Sequence, residues 1–304
     1  YGSNIVGQLN QCDGLLWHFN HADSRDVLFA KQLLFSFELT GKKVFPDLRT
    51  AWHFDDKIGQ KYLLESINAP LAPAFVFYSE AEALKWAEIS SFPKVFKLRE
   101  GAGSANVRLV KTKEEAIVLI KKSFRTGFRL YDPWGGLRER FRHYKKGRTK
   151  LLDLFEGLAR FLIRTRFEKV IGKERGYVYF QEFIEGCTFD IRVKVVDHKV
   201  WAFRRMVREN DFRASGSNLH SYTHNDIPLE VVEIALKVSE ELKLQCVAFD
   251  FVITQDKRPL ILEMSYGWGH SDSDAQYQGY WDSNLNWHDG TFDPFGWMVE
   301  KVVS

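Results

Sequence analysis

Two acidic residues stand inside apolar runs, where a charge needs a reason. Asp250 lies in residues 247–254, VAFDFVIT, and Glu263 lies near the end of residues 259–264, PLILEM. The four residues between the runs suit a tight turn, so the two strands can pair antiparallel and set both acids side by side. Two carboxylates facing one point repel each other and call for a cation. Magnesium suits them, because it takes hard oxygen ligands, keeps several waters and bridges phosphates. The alternative is that each acid is an exposed residue on a strand face.

A second group of residues is cationic and dispersed: Lys57, Lys97, Arg192, Arg204, Arg205 and Arg213. Phosphate recognition uses such a mixture, with point charges from Lys and forked donors from Arg. Lys97 precedes a small-residue loop, residues 100–106 (EGAGSAN), in which Gly101, Gly103 and Ser104 can bring backbone N–H groups close to a ligand. The loop has neither Walker A nor G-x-G-x-x-G spacing. A third group, Gln181-Glu182-Phe183-Ile184, ends an apolar strand, where free backbone N–H and C=O groups can pair with an adenine edge. For any one of these cations a solvated surface role is the alternative, and for the third group plain strand structure.

The elements that must position these residues alternate between α and β. Asp23-Ser24 offers a cap for an amphipathic helix ending near Leu39 and Gly41, after a short strand within residues 13–20 and before another at residues 43–45. Asp55 is read as the cap of a helix over residues 56–66. Strands are expected near residues 74–78, 95–98 and 107–110, the last two flanking the small-residue loop. Helices are expected over residues 79–89 and 112–122, the second opened by a Thr-x-x-Glu capping box. Residues 151–167 read as one helix. Strand patterns follow at residues 177–183, 190–196 and 199–205, then a helix at residues 229–242. After residue 265 little periodicity is visible until a last short helix, residues 294–303.

The order of these groups along the chain resembles the ATP-grasp superfamily, in particular carboxylate–amine ligases of the RimK and glutathione-synthetase type. It runs Lys57, then Pro93-Lys94-Val95-Phe96-Lys97 with the glycine loop, then Gln181-Glu182-Phe183-Ile184, Asp190-Ile191-Arg192, Arg204-Arg205, Asp211-Phe212-Arg213, Asp250 and Glu263. The resemblance spans about residues 54–266. It implies an α+β ATP-grasp fold, two α/β subdomains clasping a nucleotide, with ATP and Mg2+ as cofactors. It also implies that Lys57 and Lys97 contact phosphates, that Glu182, Phe183 and Ile184 contact adenine, and that Asp190 and Arg192 belong to the nucleotide site. Arg204 and Arg213 become the catalytic cations, and Asp250, Glu263 and Ser265 the metal positions. At that last position the family reads Glu-x-Asn where this chain has Glu263-Met264-Ser265. Either the Ser265 hydroxyl substitutes for the amide, or water does, or a second metal is poorly held.

Three segments follow from this reading: an abbreviated N-terminal α/β unit at 1–53, a central ATP-grasp subdomain at 54–183 and a C-terminal subdomain at 184–304. The central one carries an insert, residues 123–176. Residues 121–176 hold 17 Lys and Arg against six Asp and Glu, a net of +11 on a chain whose total is +3. There Arg125, Arg129, Arg138, Arg140, Arg142, Lys145, Lys146 and Arg148 interleave with Phe128, Tyr131, Trp134, Phe141 and Tyr144. Such a segment is a solvated helical face over a small core, or the seat of an anionic substrate, carrier, lipid surface or partner; nucleic acid is the least favoured ligand. In the tail, Trp268, His270, Trp281, Trp287 and His288 either line an acceptor pocket or pack one part of the chain on another. The tail also resembles that of uncharacterised bacterial ATP-grasp proteins of surface-polysaccharide biosynthesis.

Cys12, Cys187 and Cys246 are widely spaced and form no C-x-x-C, which fits reduced thiols and a cytoplasmic setting. No run of about 18 uncharged apolar residues reads as a membrane span, and the first residues do not read as a signal peptide. The activity implied by the resemblance is transfer of a phosphoryl group from ATP to a carboxylate, giving an acyl phosphate that an amine attacks. Phosphorylation of a hydroxyl, or nucleotide binding without turnover, are the competing readings.

Overall fold

A computed structural model of the chain describes residues 2–20, 23–101, 106–131, 133–145, 150–208, 211–217, 219–269 and 276–304. The expected site residues Gly103 and Ser104, and His270 of the tail, lie outside these. The chain divides into two compact units, one made of residues 1–72 with 184–304 and the other of residues 73–183.

The first unit is built on an antiparallel sheet, described as seven strands. Its order is Pro259–Ser265, Cys246–Ile253, Phe189–Val196, Lys199–Met206, Gly279–Trp281 and Trp287–Asp289, with His220–Ser221 also on Lys199–Met206. Strand periodicity sorts its residues into two faces. Ile191, Val193, Val195, Val200, Ala202, Val247, Phe249 and Phe251 form one buried core with Val231, Val232, Ala235 and Val238 of the helix Leu229–Glu241. Each Val, Ile or Phe side chain taken from water here contributes ~1.5–3 kcal/mol, so the register is strongly fixed. The other face holds Trp201, Phe203, Ala248 and Cys246 in a core with Leu33, Leu34 and Phe37 of the helix Ser24–Leu39 and Met298 and Val302 of Pro294–Val303. A small parallel pair, Gly14–Leu16 on Lys43–Phe45, completes this unit.

The second unit has a four-stranded antiparallel sheet in the order Ala74–Phe77, Val178–Glu182, Lys94–Lys97, Arg108–Val110. Ala83 and Ala87 of the helix Glu80–Ile89, and Ala116, Leu119 and Ile120 of Lys113–Phe124, pack with Phe96, Val178 and Phe180. Beyond the sheet stand the helices Pro133–Lys145, Leu151–Leu162 and Arg166–Ile171.

Local differences from the sequence reading have identifiable causes. The helix expected from residue 56 starts at Lys57, because Asp56, not Asp55, accepts from the Ile58 and Gly59 N–H groups. The single helix expected over residues 151–167 is two, because Ile163 is extended and Thr165 with Glu168 forms a second capping box. The tail has a hairpin, Gly279–Trp281 with Trp287–Asp289, where no strand was expected. Its turn is closed by Asp282, whose Oδ1 accepts from the Asn284 and Asn286 N–H groups.

Candidate functional site

Several polar residues of the first unit's sheet share one face, opposite the helix Leu229–Glu241. On Phe189–Val196, Ile191 and Val193 are committed to the helix-covered core, so Asp190, Arg192 and Lys194 share the opposite face. Arg192 is the direct cross-strand partner of Asp250, which in turn is the direct partner of Glu263. A register shift follows Asp250, so the ladder resumes at Phe251 with Ile261. The two acids singled out in the sequence therefore do occupy facing positions on adjacent strands.

Their charges are answered by three cations. Arg192 donates from Nε and Nη2 to the two Asp250 oxygens at 2.7 and 2.8 Å. Arg205 donates to both Asp190 oxygens at 2.6 and 2.7 Å and reaches Asp250 Oδ2 at 2.9 Å. Lys57 Nζ stands 3.3 Å from Glu263 Oε1. Its helix is tied to the same strand, since the Met264 N–H donates to Gln60 Oε1 at 3.2 Å and Gln60 Nε2 donates to the His53 carbonyl at 3.0 Å. Burial favours the neutral form of Asp250, but the Arg192 and Arg205 guanidiniums outweigh it and hold the carboxyl well below the usual carboxylate range. Burial also opposes the Lys57 charge, and Glu263, Asp55 and Asp56 more than offset it, so its pKa rises. The outcome is a partly buried array of three cations and three anions.

Arg204 is elsewhere. It alternates with Arg205 along Lys199–Met206 and so sides with Ala202 on the face packed against the helix Leu229–Glu241. There its guanidinium lies 4.4 Å from the Phe189 ring centroid and donates to the Asp226 carbonyl. Of the two adjacent arginines in the cationic group, Arg205 and not Arg204 joins Asp190 and Asp250. The usable signal was polar alternation: Asp190-x-Arg192-x-Lys194 runs against apolar Ile191, Val193 and Val195, and Arg205 shares the parity of the polar set through its partner Asp190. Arg213 is gripped by Asp211, with Nε and Nη2 at 2.9 and 2.7 Å from its oxygens. Ser265 follows Glu263 on the same face, but its hydroxyl donates to the Gly267 carbonyl at 3.0 Å and accepts the Gly267 N–H at 3.2 Å.

This donor set bears directly on magnesium. Two carboxylates on facing residues offer hard oxygens of the kind that ion takes, with the remaining ligands drawn from water and phosphate. The Ser265 hydroxyl commits its hydrogen and one of its two lone pairs to its own turn. No group of three or more His, Cys, Asp or Glu side chains able to cage a metal occurs among the described residues. Asp250 and Glu263 are the carboxylates that could hold an ion completed by water and substrate oxygens, in exchange for the Arg192, Arg205 and Lys57 contacts they make here.

The second unit carries its own polar pairs. Lys97 is buried, and its Nζ lies 2.6 Å from Gln181 Oε1. Lys94, also buried, lies 2.9 Å from Glu182 and is its direct cross-strand partner. Sequence reasoning gave Lys94 no separate role, although it opens the same four-residue strand that Lys97 ends. Gly101 takes a φ of 122°, a left-handed conformation that favours glycine. Phe183 closes this unit, and Ile184 begins the C-terminal part of the first.

A family model described as RimK-like ATP-grasp domain matches residues 155–278. By sequence, no curated protein matches the chain. Among solved structures, the biotin carboxylase domain of the Hydrogenobacter thermophilus 2-oxoglutarate carboxylase, in complex with MgADP, ADP and bicarbonate, superposes with a TM-score of 0.61 at 13% identity, over 99% of this chain and 56% of that one. A RimK domain ATP-grasp protein from Sphaerobacter thermophilus gives 0.57 at 17% identity, over 96% and 82%. The D-alanine–D-alanine ligase of Bacillus anthracis, complexed with ATP, gives 0.56 at 15%, over 99% and 82%. The chain spans little more than half the length of the biotin carboxylases it matches, 56% and 52% in two cases. These likenesses establish the fold: the chain is an α+β protein with the ATP-grasp fold.

Proposed function

We propose that this chain binds ATP with Mg2+ and uses it to activate a carboxylate as an acyl phosphate, which an amine then attacks to give an amide. The observation that carries the reading is the facing pair Asp250–Glu263, set among Arg192, Arg205 and Lys57 on one sheet face of an ATP-grasp fold. The names of the structural neighbours support it, since they include a D-alanine–D-alanine ligase and biotin carboxylases.

In this reading Asp250 and Glu263 hold the metal, which offsets charge on the nucleotide phosphates and the transferred phosphoryl group. The chain's own work is positioning and electrostatics. Arg192 and Arg205 present forked donors beside the carboxylates, and anionic oxygens can compete for those donors. Lys57 keeps its proton next to Glu263 and supplies a fixed positive charge. Lys97, Gly101, Gly103, Ser104 and the segment Glu182–Ile184 are assigned to the nucleotide on the strength of the family resemblance. A loop closing over the phosphates would exclude water, which otherwise hydrolyses an acyl phosphate. Three free cysteines and ATP-dependent chemistry suit a cytoplasmic site of action. The tail resemblance favours substrates from surface-polysaccharide assembly.

The test is ADP release from the purified chain with panels of acids and amines, followed by mass spectrometry of the product. Release that needs both an acid and an amine, with an amide formed, is the expected result. Release with a hydroxyl acceptor alone would identify a kinase instead. Because the Ser265 hydroxyl is engaged in its own turn, binding without turnover is the second reading, and ATP binding with no ADP under any combination would establish it.

A further inference from the structure

The helix Leu151–Leu162 carries two apolar faces, and among the described residues only one of them is covered. Its inner face packs on the helix Pro133–Lys145. Gly157 sits so close that a side-chain methyl would meet Arg140 Cδ and Leu137 Cδ1 at 3.0 Å. The Phe161 ring lies edge-on to Trp134 at 4.8 Å, and Arg140 Nη1 donates to the Asp153 carbonyl at 2.9 Å. The other face presents Leu152, Phe155 and Leu158, which stay 68%, 60% and 52% exposed, and Ile163 just beyond the helix end is 57% exposed. Spacing of three residues keeps these three side chains within about a third of the helix circumference. Trp134 and Phe141, seven residues apart on the companion helix, are also largely exposed. A helix that is apolar on both sides ordinarily has both sides covered.

We propose that this stripe rests on a membrane surface bearing anionic phospholipid headgroups, with the chain lying on the bilayer and not crossing it. Charge complementarity selects this occupant. Residues 121–176 carry a net of +11, and residues 133–162 alone hold eight Lys and Arg against three Asp and Glu. Apolar and aromatic side chains beside a cationic segment are the composition of helices that lie in the headgroup region. A second copy of the chain would bring the same positive charge against itself. A peptide needs a concave seat, whereas a single helix's outward stripe is convex. Nucleic acid is read through stacking and polar donors, and Leu152, Leu158 and Ile163 offer neither. Among the described residues no helix is long and apolar enough to span a bilayer, which agrees with a surface location. This inference does not depend on the catalytic reading, since it concerns a helix pair bearing none of the residues assigned to ATP or metal.

The experiment is sedimentation of the full chain with vesicles of phosphatidylcholine alone or mixed equally with phosphatidylglycerol, at low and high salt. Binding to the mixed vesicles only, weakened about 10-fold or more by salt, is expected. A triple variant, Leu152→Ser, Phe155→Ser and Leu158→Ser, removes solvent-exposed groups and should melt with the wild type, yet partition about 100-fold less. Should it melt early, the single Phe155→Ser carries the same test at about 10-fold. Equal binding of wild type and variant, or no binding of wild type to mixed vesicles, overturns the proposal. So does capture by polyglutamate that depends on the stripe and occurs without vesicle binding, which would assign the surface to an acidic protein.

Discussion

Replacing Arg205 by Met should leave a signature that only the charge array explains. The Arg205 side chain is 5% exposed and touches two carboxylates, Asp190 at 2.6 and 2.7 Å and Asp250 at 2.9 Å. Met fills a similar length but leaves Asp190 buried without its partner and facing Asp250. Breaking a buried pair from one side costs ~3–5 kcal/mol, because the remaining charge loses its compensation. Burial already pushes the Asp190 carboxyl up to about 6 against the pull of Arg205, and without that guanidinium it rises further. A folded-state pKa raised above the unfolded carboxylate value means the folded form takes up a proton first, so the penalty is full at high pH and shrinks as pH falls through the folded pKa. Between pH 7.5 and 5.5 the deficit of the variant should narrow by ~2 kcal/mol, allowing for the smaller gain of the wild type at ~1.4 kcal/mol per unit. Urea unfolding of both proteins at the two pH values measures it. Asp190→Asn placed on Arg205→Met should recover most of the loss at pH 7.5. A deficit below ~1 kcal/mol, or one independent of pH, would show that Arg205 acts as packing and refute the reasoning.

His53 gives an opposite pH trend in the wild type. It is fully buried, and burial, with the Lys31 charge adding to it, lowers its pKa from 6.5 to about 4. The folded state resists protonation that the unfolded state accepts, so stability is whole above pH ~6.5 and falls by ~3 kcal/mol as pH drops toward 4. His53→Gln should flatten that slope in urea melts, and an unchanged slope would remove His53 as its source. For Lys97→Met, loss of one charge-assisted contact predicts a KM for ATP raised about 10- to 100-fold, read in an ADP-release assay. Arg204→Met should leave ATP binding within about 3-fold of wild type by calorimetry, because Arg204 sits on the face packed against Leu229–Glu241, opposite Asp250 and Glu263; a loss of about 10-fold or more would contradict its placement.

Much of this was legible in the residues. Asp250 and Glu263 could be paired from two apolar runs and a four-residue turn, and the register bears this out. The caps at Asp23 and Thr112 were readable because each side chain accepts from a nearby backbone N–H. What failed was finer. Adjacent arginines at 204 and 205 point to opposite faces, and only the register with Asp190 says which one joins the acids. The tail hairpin was hidden because its strands are three residues long and its turn depends on Asp282 closing on Asn284 and Asn286, a chemistry that composition alone does not reveal. The break at Ile163 was masked by continuous apolar spacing, although Thr165-x-x-Glu168 marked a new helix start.

The central claim is that Asp250 and Glu263 hold a metal-bound nucleotide for carboxylate activation. Trapping with hydroxylamine tests it most directly, because hydroxylamine attacks an acyl phosphate whatever amine is the true acceptor. Wild type with ATP, Mg2+ and a panel of acids should form a hydroxamate with at least one acid. Asp250→Asn and Glu263→Gln should form none while still folded by circular dichroism. Hydroxamate formed equally by both variants, or by no protein with any acid, would contradict the account.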